Sequence, residues 1–193
     1  MGSQKTRLIE SGMDVLMALL YAPGATGKDG EEIRGITRFE KLLFLLGKET
    51  KFQQYLSKDF EFEAYDFGPF SVEVFDNLEA LEDAGFVETR IVGSKHRTET
   101  YDALEIESDV ITDDDLLFMV ADDTKKLKIY KLTTRGIKVG KTLYDSLTEE
   151  ERRSLREKKT RFNSMPLNRL LRYIYTKYPE EAKESVIKEE VLK

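Results

Sequence analysis

The stretch "YDFGPFSVEVFDNLEALEDAGFVETRIV", residues 65–92, constrains the fold more than any other. Gly68, Pro69 and Ser71 punctuate its start, and Gly85 stands near its end. Ser71 suits a helix N-cap, and Gly85 suits the first position past a helix C-terminus. Between them Val74, Leu78 and Leu81 recur at helical spacing with Phe75 beside them, which predicts one apolar face. "FVETRIV" then alternates as a strand does. The predicted helix carries Glu73, Asp76, Glu79, Glu82 and Asp83 and has no Lys or Arg. A helix leading directly into a strand, with an acidic outer face, is the pattern to be explained.

The flanking segments predict further helices. Ile9, Met13, Leu16, Met17, Leu19 and Leu20 form a stripe that ends before Pro23. Thr37 is expected to cap a second helix, "RFEKLLFLLGKE", with Phe39, Leu42, Leu43, Leu45 and Leu46 buried. "KFQQYL" predicts a short helix and "FEFEAYDFG" an extended lead-in. "TETYDALEIE" is a second strand candidate, with "GSKHR" as the hairpin tip between it and "FVETRIV". "KLKIYKLT" reads as another strand. Later, Thr134 begins a helix, Thr148 and Glu151 make a capping box, and Pro166 opens a helix with a Leu167–Tyr178 stripe.

Three helices followed by strand and wing make a winged helix-turn-helix. The predicted class is therefore α+β, mostly α. A winged helix-turn-helix core with a small β wing is expected over residues 6–133. A C-terminal helical extension is expected over residues 134–193, packing on the core or forming a dimer contact.

Charge divides the chain of 193 residues. Residues 1–123 hold 12 Lys+Arg against 27 Asp+Glu, a balance of −15, and residues 124–193 hold 19 against 10, a balance of +9. A basic third can attract phosphates, an acidic partner or the chain's own acidic part. No apolar run approaches a membrane span, and the opening residues lack the order of a secretory signal. With no cysteine, the expectation is a soluble cytoplasmic protein without disulfides.

No catalytic constellation can be assembled, so a non-enzymatic protein without cofactor or metal is expected. His96 is the only histidine, which leaves no partner for a triad or a histidine metal cluster. "GATGKDG" departs from a phosphate loop at Ala22 and Asp29 and follows a helix, so it reads as an ordinary loop. Asp109 and Asp113 to Asp115 lack the glycine and glutamate of an EF-hand. They read as solvated acids.

Two binding readings remain. In the leading one, DNA phosphates meet the wing through Arg90, Lys95, His96 and Arg97 and a basic face of Lys125, Lys126, Lys128, Arg169 and Arg172. The chain would regulate transcription as a homodimer. In the alternative, a protein partner docks on the acidic helix through Glu73, Asp76, Glu79 and Asp83.

"GITRFEKLLFLL", "FGPFSVEVFDNLEALEDAGFV", "YKLTTRG" and "LNRLLRYIYTKYPEEAKES" occur in that order. Together they resemble the YwgA-like proteins of bacteria and archaea and, more distantly, the Panacea domain of SocA-like antitoxins. The likeness spans roughly residues 8–188. Glu40 stands where the pattern expects Gln. The resemblance implies a winged-helix fold, DNA binding on one branch and protein-binding antitoxin activity on the other.

Overall fold

The computed structural model describes residues 8–93 and 126–193. Helix α1 (Gly12–Tyr21) starts in a capping box: the Ser11 hydroxyl accepts from the Asp14 amide, and Asp14 accepts from the Ser11 amide. Val15, Leu16, Ala18 and Leu19 are fully buried, so α1 lies in the core rather than along its edge. Strand β1 (Ile33–Arg34) pairs with a later strand, and Gly35, at φ 86°, turns the chain into α2 (Ile36–Glu49). The sequence placed the cap of α2 at Thr37. Instead Gly35 holds the N-cap position and donates its amide to the Lys128 carbonyl, while Thr37 is buried within the helix.

Ten consecutive residues of α2, Thr37 to Leu46, are buried. Helix α3 (Gln53–Asp59) packs against α1 and α2. An antiparallel ribbon of β2 (Glu63–Tyr65) and β3 (Gly68–Phe70) then leads into α4 (Val72–Asp83). Val74, Leu78 and Leu81 are the buried face of α4, as their spacing predicts, but Phe75, expected with them, lies on the helix flank, 36% exposed and stacked on Phe70. The helix ends as expected at Gly85, whose φ is 71°. The Phe86 amide donates to the Leu81 carbonyl and the Gly85 amide to Glu82, both at 2.9 Å, which is a Schellman motif.

Strand β4 (Val87–Gly93) pairs antiparallel with β5 (Lys126–Leu132), in register from Val87↔Leu132 to Gly93↔Lys126. The three-stranded sheet has the order β1-β5-β4. The strand expected at 98–107 and residues 94–97 of the tip "GSKHR" lie outside the described residues, as does the Asp109 to Asp115 run, whereas Gly93 is the last residue of β4. The partner shown for β4 is β5.

Helix α5 (Thr134–Ser146) packs along α1. Its first turn comes so close to the residue before β4 that a Cβ on Gly136 would stand 1.9 Å from the Phe86 carbonyl oxygen. Thr133 caps α5 by accepting from the Gly136 amide, and its hydroxyl donates to the Gly85 carbonyl. Arg135 donates to the Ala84 carbonyl, supplying a cation to the C-terminal end of α4. Helices α6 (Glu149–Asn163) and α7 (Leu167–Lys177) cover α2, and the Thr148–Glu151 capping box forms as the sequence predicts. A 3-10 helix (Pro179–Ala182) and α8 (Lys188–Leu192) close the chain against α7.

The architecture is mostly helical with small antiparallel sheets. Residues 134–193 share one core with the N-terminal part, Leu155, Phe162, Leu170 and Ile174 packing in the same cluster as Leu16 and Phe39. The Leu167–Tyr178 stripe, open to core packing or a dimer contact by sequence, is spent inside the chain. Leu170, Leu171, Ile174 and Tyr175 are all buried. Among the described residues no helix is long and apolar enough to cross a membrane.

Candidate functional site

The entry to α4 is fixed from beneath by charged side chains of α2. Lys41 is 1% exposed and donates from Nζ to the Pro69 carbonyl at 2.9 Å. Its neighbour Glu40, 3% exposed, accepts from the Ser71 amide at 3.3 Å and lies 3.7 Å from Lys41 Nζ. Burial pushes the Lys41 ammonium down to about 8 against the support of Glu40. Burial likewise pushes the Glu40 carboxyl up. Each charge is tolerable in the core only because the other is there. The pair therefore pins the "GPFS" turn, and with it the direction in which α4 leaves the ribbon.

Ser71 occupies the expected N-cap position without the expected capping bond. Its hydroxyl donates to the Glu73 carboxylate at 2.6 Å instead, and that bond holds the Glu73 carboxyl below its usual range.

What this turn presents is a mixed aromatic and acidic surface. Tyr65 and Phe70 lie with ring centroids 5.0 Å apart, and Phe70 and Phe75 lie 5.5 Å apart. Tyr65 and Val72 are each 53% exposed and Phe75 is 36% exposed. Along α4, Val72, Asp76, Glu79 and Asp83 follow at i, i+4, i+7 and i+11, so they share the solvent face, and Phe75 sits one turn before Glu79. Asp76, Glu79 and Asp83 are exposed. Among the described residues no Lys or Arg pairs with them.

The nine basic positions named from sequence are not gathered on one element. Lys95, His96, Arg97 and Lys125 lie outside the described residues. Lys126 lies at the far end of β5, its backbone paired with Gly93. Arg90 stands opposite Ile129 and Lys128 opposite Ile91, so strand alternation puts Arg90 and Lys128 on opposite faces of the β4–β5 ribbon. Arg90 also lies 3.7 Å from Glu32. Arg169 and Arg172 are exposed on α7, which packs on α2, β3 and the C-terminal segment, whereas the β4–β5 ribbon packs on β1, α1, α4 and α5. Arg172 Nε donates to the Val191 carbonyl at 2.7 Å.

Much of the other basic charge of the last third is committed internally. Arg152 and Arg156 both reach Glu149, and Lys158 and Lys177 both reach Glu49. Burial alone would raise the Glu49 carboxyl. Bonds from Lys158, Lys177, Tyr173 and Tyr178 outweigh burial and hold it at about 2.

Lys159 is fully buried and donates to the carbonyls of Leu19, Leu20 and Ala22 at 3.0, 2.9 and 2.7 Å. These are the open carbonyls at the end of α1, which has no basic residue in its own last turn. Burial pushes Lys159 down to about 7, against the pull of Glu31 and Asp29. Three acceptors call for three N–H donors, and only the ammonium has them. In the sequence Lys159 is one of several Lys and Arg residues of a highly charged helix, with nothing in residue type to set it apart. Its one signal was the phase of α6, since it falls one turn from the buried Leu155 and Phe162.

Among the described residues no group of three or more His, Asp and Glu side chains is arranged to hold a metal ion. No family model matches the chain, and neither a curated protein nor a solved structure matches it.

Proposed function

We propose that the chain is a non-enzymatic protein-interaction module on a winged-helix scaffold, in which α4 faces a protein partner and not a DNA groove. The scaffold reading is supported by the order α1, β1, α2, α4, β4, β5 with sheet order β1-β5-β4. Helix α3 and the β2–β3 ribbon form an insert before the helix that would read DNA. The resemblance to YwgA-like proteins and the Panacea domain agrees with that scaffold, and its antitoxin branch agrees with a protein partner.

One observation carries the functional half. The exposed face of α4 holds carboxylates with no paired cation among the described residues, beside exposed aromatic rings. A phosphate backbone would meet repulsion there, whereas a protein with a basic surface would meet attraction. Affinity isolation of the tagged chain from its native host tests this, with Asp76→Lys/Glu79→Lys run in parallel. A stoichiometric protein partner lost in the double variant is expected. A partner retained unchanged by that variant would overturn the assignment to α4.

A second reading is favoured by Lys128, exposed near the end of the β4–β5 ribbon from which the segment carrying Lys95, His96, Arg97 and Lys125 departs. That ribbon would act as a wing on DNA phosphates. Fluorescence anisotropy with labelled duplex DNA distinguishes the two. Tight binding that weakens steeply with salt and fails in Lys128→Glu would favour the wing.

A further inference from the structure

Taking α4 as the partner-facing helix, we infer that Tyr65, Phe70, Val72 and Phe75 are the anchor of its interface. The occupant they fit is a basic segment of a partner protein: an apolar or aromatic side chain flanked by Lys or Arg. This inference rests on the protein-interaction reading and adds to it the place of the anchor and the chemistry of the ligand.

The apolar half of the site is a line of three rings with successive centroids 5.0 and 5.5 Å apart. It continues onto Val72 in the first turn of α4. Large apolar side chains scattered singly on a surface need no explanation, but contiguous ones left open do. Aromatic anchors set in a polar rim are the usual anatomy of a protein-binding surface.

The acidic half sets the occupant. Glu63 pairs across the ribbon with Phe70 and so shares its face with Tyr65 and Phe70. Glu79 lies one helical turn beyond Phe75, and Asp76 one turn beyond Val72. Among the described residues none of Glu63, Asp76 and Glu79 forms an ion pair. Ring faces and carboxylates attract the same chemistry, a Lys or Arg side chain, the first through cation–π contact and the second through charge. The same rim disfavours nucleic acid and anionic lipid. The site is also held in place before binding, because the buried Lys41–Glu40 pair fixes the Pro69 and Ser71 backbone between the rings. Such preorganisation lowers the entropy lost on docking.

A displayed library of random short peptides, panned on the full chain, supplies the probe. Enriched peptides are then titrated by fluorescence anisotropy against the wild type, Tyr65→Ser/Phe75→Ser and Asp76→Lys/Glu79→Lys. Circular dichroism melts check the fold of both variants. The charge swap at exposed Asp76 and Glu79 should melt as the wild type does. The serine pair, which also removes two ring contacts to Phe70, should still melt cooperatively well above the assay temperature. Selected peptides should carry net positive charge with an aromatic or aliphatic residue, and each variant should weaken them about tenfold or more. Binding that falls with the charge swap but survives the serine pair would overturn the anchor while leaving α4 as a partner surface. Peptides indifferent to both variants, or no enrichment, would overturn anchor and surface together. Self-association in sedimentation velocity that both variants abolish would assign the patch to a second copy of this chain and overturn the basic-segment proposal.

Discussion

Lys41→Met tests the buried pair beneath the candidate site. Lys41 and Glu40 are 1% and 3% exposed, so neither has water to fall back on. Methionine keeps most of the side-chain volume but removes the donor to the Pro69 carbonyl and the charge 3.7 Å from Glu40. Glu40 is then left buried with the Ser71 amide as its remaining partner here. Breaking a buried ion pair by deleting one member costs about 3–5 kcal/mol, chiefly from the stranded charge. Glu40→Gln keeps an acceptor for the Ser71 amide and strands Lys41 instead, so it should also destabilise. The double variant strands no charge and leaves mainly the Pro69 carbonyl without a donor, which costs on the order of 1–3 kcal/mol. The double variant should therefore be less damaging than the sum of the singles by ~2 kcal/mol or more. Urea unfolding followed by circular dichroism, with linear extrapolation, measures all four corners of the cycle. Single costs below ~1 kcal/mol, or additivity within ~0.5 kcal/mol, would refute the claim that this pair holds the "GPFS" turn.

Other expectations come from separate parts of the fold. Lys159→Met leaves the Leu19, Leu20 and Ala22 carbonyls without their donor and should cost about 3 kcal/mol, read as a fall in the urea midpoint. Glu49 is held at about 2, below its ordinary 4.5, so its stabilisation is present above pH 4.5 and lost as pH falls toward 2. The stability difference between wild type and Glu49→Gln should accordingly shrink from pH 5 to pH 2 in acid titrations followed by circular dichroism. Gly136→Ala would set a Cβ 1.9 Å from the Phe86 carbonyl oxygen and should destabilise by about 3 kcal/mol. Gly47→Ala, whose Cβ would meet Leu56 at 3.7 Å, should be neutral or stabilising by up to ~1 kcal/mol, through helix propensity. Thermal melts compare the two.

What could be read from sequence was what depends on near neighbours. The Val74, Leu78, Leu81 stripe, the Schellman glycine Gly85 and the Thr148–Glu151 box each need only a few residues of context, and each formed. The cap of α2 was misplaced because the residue before it is paired with β5, nearly a hundred positions away. The buried roles of Arg38, Lys41 and Lys159 were hidden for the same reason. Arg38 reaches the carbonyls of Phe162 and Met165, and Lys159 reaches those of α1 across about 140 positions. Residue type gave no help, since Lys and Arg are almost never fully buried unless paired. The anchor rings were visible as letters, but nothing local said that Tyr65, Phe70 and Phe75 would line up beside an acidic helix face.

The division between an acidic first part and a basic last third takes on a different meaning once the chain is folded. Lys158 and Lys177 of the last third reach Glu49, Lys159 reaches the end of α1, and Glu150 and Glu181 return to Lys51 and Lys48. Opposite charge in distant segments thus joins α6 and α7 to α2, and the Lys159 ammonium joins α6 to the carbonyl end of α1. Charge buried in that way, at Lys159 and Glu49, is not a surface for ligands, and its deletion should register as instability, whereas the exposed Lys51–Glu150 pair should matter little. The carboxylates of α4 differ because helical spacing turns Asp76, Glu79 and Asp83 to the side away from Val74, Leu78 and Leu81. No described cation faces them there. Reversing their sign should leave the melt unchanged and alter only what the surface attracts, which is the behaviour that separates a binding face from a structural one.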